Sequence, residues 1–183
     1  MYRIYSVAVS AALIMWAMPL AQARSKPKEA PAAVQAIAIF EEIDSSSGEI
    51  ADVAEQLEER SKGPADSEPF LDGLDTLRQD VNSIGKRLSS LEAERDSLAA
   101  WEVEALDRAT SLMQDVAANT EKAIQLYNSD RNHLWATSYA ADEAKASEEA
   151  DQVKTMLTGY LKLAKARTQE DRLEHDLKVA PQN

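Results

Sequence analysis

Residues able to do chemistry are scarce in this chain. His133 and His175 are the two imidazoles, and cysteine is absent. Without a thiol there is no thiolate nucleophile, no disulfide and no zinc–thiolate centre. A hydroxyl nucleophile needs a base beside it, and neither histidine stands next to a nucleophile motif; Gly-x-Ser-x-Gly does not occur. Helical metal sites ask for Glu-x-x-His or His-Glu-x-x-His, so that the ligands share one face, and both patterns are missing. Asp171 lies one turn before His175 and Asp130 three residues before His133, spacings that read as surface salt bridges. The acidic clusters Glu41, Glu42, Asp44, Glu49, Asp52 and Glu148, Glu149, Asp151 read as solvated helix faces. The stretch from Asp44 to Glu55 has the length of a calcium loop, but Ser45, Ser47 and Ala51 supply the wrong inner residues. No glycine-rich phosphate loop is present. The expectation is a protein with no catalytic residue, no metal and no cofactor, hence not an enzyme.

What could position a functional surface is a long heptad pattern. Leu74, Val81, Leu88, Arg95, Glu102, Ala109, Val116 and Ala123 recur every seven residues, and Leu77, Ile84, Leu91, Leu98, Ala105, Leu112, Asn119 and Leu126 follow each by three. This 3-4 spacing is that of a helix laid along another helix. Only Arg95, Glu102 and Asn119 interrupt it with polar side chains, which can set register at a cost in stability. Hydrophobic residues make up 44% and charged residues 28%, enough for a core, and no stretch alternates apolar with polar over a strand's length. The expected fold is all-α: an elongated antiparallel helical bundle or coiled-coil hairpin, with a shorter N-terminal helix packed on one end.

In chain order, residues 1–23 read as a signal peptide: Arg3, an apolar run from Val7 to Met18, Pro19, then Ala21-Gln22-Ala23 as cleavage positions. The apolar run is shorter than the roughly 20 residues a spanning helix needs. Losing Arg3 takes the formal charge from −12 to −13. Residues 24–31 read as a flexible leader whose Arg24, Lys26 and Lys28 are the one place for membrane contact. A helix is expected at about 32–60, with a break near 45–48 where Ser46 and Glu49 match a capping box. Gly63 and Pro64 end it, and a long helix is expected at about 68–127. The turn formers Asn128 to Asn132 lead into a last helix at about 131–178, and 179–183 form a disordered tail. Residues 32–178 thus make a single helical domain. Folding these lengths together predicts a three-helix zone (70–98 with 32–60 and 160–178) and a two-helix arm over 99–159.

The arm is Ala-rich and carries Trp101, Leu106, Met113, Trp135 and Tyr139 at or beside its seam. These residues either broaden the seam or form an exposed patch for a partner. The last helix changes phase near 160–163, from Ala146, Ala150, Val153, Leu157 and Tyr160 to Leu163, Ala166, Leu173 and Leu177. The acidic net charge disfavours nucleic acid and anionic lipid. The expected function is non-catalytic: an exported protein, periplasmic in a Gram-negative cell and otherwise secreted. It acts through helix-mediated contact with a protein partner or with itself, as a scaffold, adaptor or chaperone-like envelope component. The alternative is a helical-bundle carrier or enzyme that holds a small ligand or metal between helices.

Overall fold

The computed structural model describes residues 32–62, 67–130 and 132–179. The expected signal peptide, the leader up to residue 31 and residues 180–183 of the tail lie outside the described residues. Among those described, the fold is all-α, with four helices packed as a bundle and no strand. They are α1 (Ala32–Ser61), α2 (Ser67–Ala93), α3 (Ala100–Asp130) and α4 (Tyr139–Val179). Single 3₁₀ turns at Arg95–Ser97 and Leu134–Ala136 stand before α3 and α4.

Successive helices run antiparallel. Leu57 faces Gly73 and Glu42 meets Arg87, which lays α2 back along α1. Thr158 donates to Asp44 (2.7 Å) and Ser147 to the Ala51 carbonyl (3.1 Å), which lays α4 antiparallel to α1. Asn119 donates to Glu149 (2.9 Å) between α3 and α4. The core runs the length of the bundle, from Ala36, Phe40 and Leu91 at one end to Leu57, Phe70, Tyr127 and Tyr139 at the other.

This arrangement corrects the hairpin in one decisive place. The helix expected over 68–127 is two helices, broken between Ala93 and Ala100. Leu98 is extended (φ −79°, ψ 148°), and the backbone there is held by local bonds. The Glu94 carbonyl, just past the end of α2, accepts from both the Ser97 amide (2.8 Å) and the Ser97 hydroxyl (2.6 Å). Glu102, in the first turn of α3, accepts from the Ala99 amide (2.7 Å), half of a capping box. Arg95 clamps Asp107 with both guanidinium nitrogens (2.7 and 2.8 Å) and also meets Glu92 (2.9 Å). Two of the three polar seam residues therefore build the turn. A straight rod would have left α3 with one neighbour; folding back gives it a shared core, which hides more apolar surface.

The expected two-helix arm does not form, because α1 covers α4 over residues 147–158. The core face of α3 is correspondingly wider than a heptad seam. Leu106, Met113, Thr120 and Tyr127 are buried beside Glu102, Ala105, Ala109, Val116 and Ala123, whereas Leu112 and Leu126 are only half-buried. The break expected at 45–48 is also absent: α1 is continuous there, with Ile43 and Ile50 anchoring both sides and Ser47 and Gly48 buried. Small residues at that point let the Lys154 side chain of α4 cross 3.1 Å from where a Gly48 Cβ would stand. Packing on both sides outweighs the local capping signal. The last helix begins at Tyr139 rather than 131, because Leu134 plugs the bundle end and Ser138 caps the new helix through Asp142 (2.9 Å).

Past Ala164, every α4 residue whose side chain is described is exposed. The helix continues to Val179, so its last fifteen or so residues, about 20 Å, run on beyond the four-helix core.

Candidate functional site

Groups with chemical potential are either paired off or isolated. His133 is exposed and sits 2.9 Å from Asp130, the salt bridge expected from their spacing. His175 is exposed on the α4 extension. No group of three or more His, Asp or Glu residues stands ready to hold a metal ion among the described residues. The acidic side chains of α1 work between helices: Glu42 with Arg87 (2.8 Å), Glu41 with Lys165 (2.9 Å) and Asp44 with Thr158. Arg95 beside Asp107 holds that carboxyl below its ordinary range. Asn119 is buried and ties α3 to Glu149, whose own acidity is weakened by burial and partly restored by that hydrogen bond.

One buried group has no such partner. Glu143 is fully buried, and neither of its carboxylate oxygens makes a hydrogen bond. Burial pushes it up to about 8, with Asp142 adding to the rise. Tyr139, one turn earlier, lies close enough to ease the charge, yet its hydroxyl also makes no hydrogen bond and burial raises it too. The signal for Glu143 was present in the sequence: subtracting seven from Ala146 and Ala150 extends that heptad phase to Tyr139 and Glu143. Glu143 thus lies one turn from Tyr139 at one end of the core, where Phe70 stacks on Tyr127 (5.7 Å) and tilts against Tyr139 (5.5 Å).

The five contact candidates separate. Leu106, Met113 and Tyr139 are buried in the core. Trp101 is half-buried and packs between Phe40 (6.2 Å) and Tyr160 (6.3 Å). Trp135 alone of the five is largely exposed, at 65%, edge-on to His133. The structure therefore does not gather them into one patch.

A different apolar surface is assembled instead, along α3 and α4. Leu112 of α3 with Met156, Gly159, Tyr160 and Leu163 of α4 line an open groove, edged by Arg108 and Asp151. A Cβ on Gly159 would meet nothing within 4 Å, so the groove has room there. Leu163 is 46% exposed, and ten residues on Leu173 is 64% exposed on the extension. These are large apolar side chains with no core to join, on the second heptad phase of α4. Burial in α4 keeps the first phase through Leu157, Leu161 and Ala164, past the change expected at 160–163, and Leu163 lies off it.

No helix among the described residues is long and apolar enough to cross a membrane. Comparison with protein-family models, with curated proteins and with solved structures finds no match to this chain.

Proposed function

We propose that this chain works without catalysis, as an exported helical protein that acts by helix-mediated protein–protein contact, in the manner of a scaffold, adaptor or chaperone-like envelope component. The observation that carries the reading is the apolar strip of the α3–α4 groove, Leu163 included, with Leu173 exposed further along on the α4 extension. Exposed leucines on a helix that outlasts its own bundle cost solvation and contribute nothing to the core, which is the signature of a surface used by something else. Export rests on Arg3, the apolar run and Ala21-Gln22-Ala23.

The test is the double variant Leu163→Glu with Leu173→Glu, both at exposed positions. Helicity and thermal midpoint should stay as in the wild type, while self-association in sedimentation, or capture of a partner from the native envelope, is lost. A double variant that associates like the wild type overturns the assignment of this surface. For export, N-terminal sequencing of the protein from its native host should begin at Arg24; a soluble form that retains Met1 overturns it.

A further inference from the structure

We infer that the occupant of the α4 strip is a second copy of this chain, docked antiparallel through the α4 extension; this rests on the contact reading above. Leu163, Ala166, Glu170 and Leu173 keep a 3-4 rhythm, with Leu177 next in the sequence. All four of the first set are exposed. Two such stripes can meet antiparallel in one register that satisfies every layer at once. Leu163 then faces the partner's Leu173, Ala166 faces the partner's Glu170, and the two-fold axis repeats both contacts.

Charge selects this arrangement over the parallel one. Lys162, Lys165 and Arg167 precede the midpoint, and Glu170, Asp171, Glu174 and Asp176 follow it, with Arg172 and Lys178 as the exceptions; Lys165 also reaches Glu41 of its own chain. Antiparallel pairing lays the basic half of each helix on the acidic half of the other. Parallel pairing lays like on like. The same surface is therefore complementary to itself only under a two-fold axis, which is what singles out a second copy. Glu170, the polar residue of the stripe, comes within a position of the partner's Arg167, which gives the central layers a charged pair.

The groove supplies the second half of the fit. In this register the end of the partner's extension falls at the level of Gly159, beside Met156, Tyr160 and Leu112. That is where α4 carries no side chain and a Cβ would meet only open space. Each extension thus ends against the other molecule's α3–α4 groove, and the apolar strip and the overhang have a single occupant.

The absence of cysteine makes the register directly readable in the full-length chain. Leu163→Cys and Leu173→Cys are prepared separately, and again as Ala166→Cys and Glu170→Cys so that both leucines are kept in one set. Each is treated with a short bismaleimide, alone and in equal mixture. Opposed positions lie on helices about 8–10 Å apart, while each Leu site lies roughly 15 Å along the axis from its own copy. The mixture of 163 with 173 should cross-link several-fold more than either variant alone, whereas 166 and 170, each only about 6 Å along the axis from its own copy, should cross-link both alone and mixed. Cross-linking of the single 163 and 173 variants to themselves at the yield of their mixture means a parallel pair and overturns the proposal. A wild type that is monomeric in sedimentation, but loses a different protein when Leu163 and Leu173 become Glu, overturns the second copy and leaves the contact reading standing. A wild-type dimer unaffected by those two substitutions overturns both.

Discussion

Glu143 is the residue whose chemistry the fold changes most. Unfolded, it titrates in the ordinary carboxylate range; folded, burial pushes it up to about 8. Between those values the native state keeps a proton that the unfolded state has released, so raising the pH favours unfolding. The stabilisation is full below the ordinary carboxylate range, falls through neutrality and levels off past about 8. At about 1.4 kcal/mol per pH unit the full loss is roughly 5 kcal/mol. Glu143→Leu removes this linkage while filling the same apolar end of the core. Urea unfolding at pH 5 and at pH 8.5 should show the wild type losing several kcal/mol across the interval and the variant losing far less. Asp80 and Glu149, also raised by burial, leave a residual slope of the same sign. Parallel slopes for the two proteins would mean that the carboxyl escapes the core when it ionises. Trp135 shows the opposite case: a large aromatic that the fold leaves outside, while Tyr139, four residues on, is sealed within it.

At the scale of elements, the turn between α2 and α3 decides the architecture, and Glu102 discriminates between the rod and the bundle. In a continuous rod Glu102 is a polar intruder in an apolar seam, and Glu102→Ala would stabilise the helix. In the bundle its carboxylate is buried and accepts the Ala99 amide. Removing it orphans that donor and leaves a void, a loss of about 1–3 kcal/mol. Glu102→Gln keeps a carbonyl acceptor and should cost distinctly less. Denaturant midpoints of the two variants settle the sign; a gain in stability for Glu102→Ala would be incompatible with the turn. The same logic applies in α1, where a capping-box pattern at Ser46 and Glu49 is overridden because Ser47 and Gly48 are packed under Lys154. Local capping contributes about 1 kcal/mol, and the burial of Ile43, Ile50 and their neighbours outweighs it.

At the scale of the molecule, core and contact surface are separable along α4. Among the described residues the last buried one of that helix is Ala164, supported by Thr168, whose hydroxyl donates to the Ala164 carbonyl (3.0 Å). A chain ended after Thr168 should therefore fold as the full one does, with a thermal midpoint displaced by less than about 4 °C, the equivalent of about 1 kcal/mol at this size. It should also lose self-association, since Leu173 and the acidic half of the extension go with it. Calorimetry and sedimentation on the truncated chain check both at once. Loss of cooperative unfolding would show that the extension is part of the core.

Periodicity alone determined that this chain is helical and that its apolar residues lie in stripes. Those are properties of a single helix, set by which residues share a face 3.6 to a turn. It also singled out Arg95, Glu102 and Asn119 as polar positions in an apolar stripe, and all three proved to hold bonds that define register or turn. What the stripes could not reveal was how many helices share them. A heptad runs through the α2–α3 turn without losing phase, so Leu91, Leu98 and Ala105 read alike whether the chain goes straight or doubles back. The difference lies in the long-range burial of Leu106, Met113 and Tyr127, which sit one position outside a two-helix seam and inside a four-helix core. Only the tertiary structure decides that, because the free energy of the turn is gained by surfaces far apart in sequence. The contact residues follow the same rule: Leu106, Met113 and Tyr139 are buried in the core, while Leu173 is left exposed because α4 continues past the last of its described buried residues.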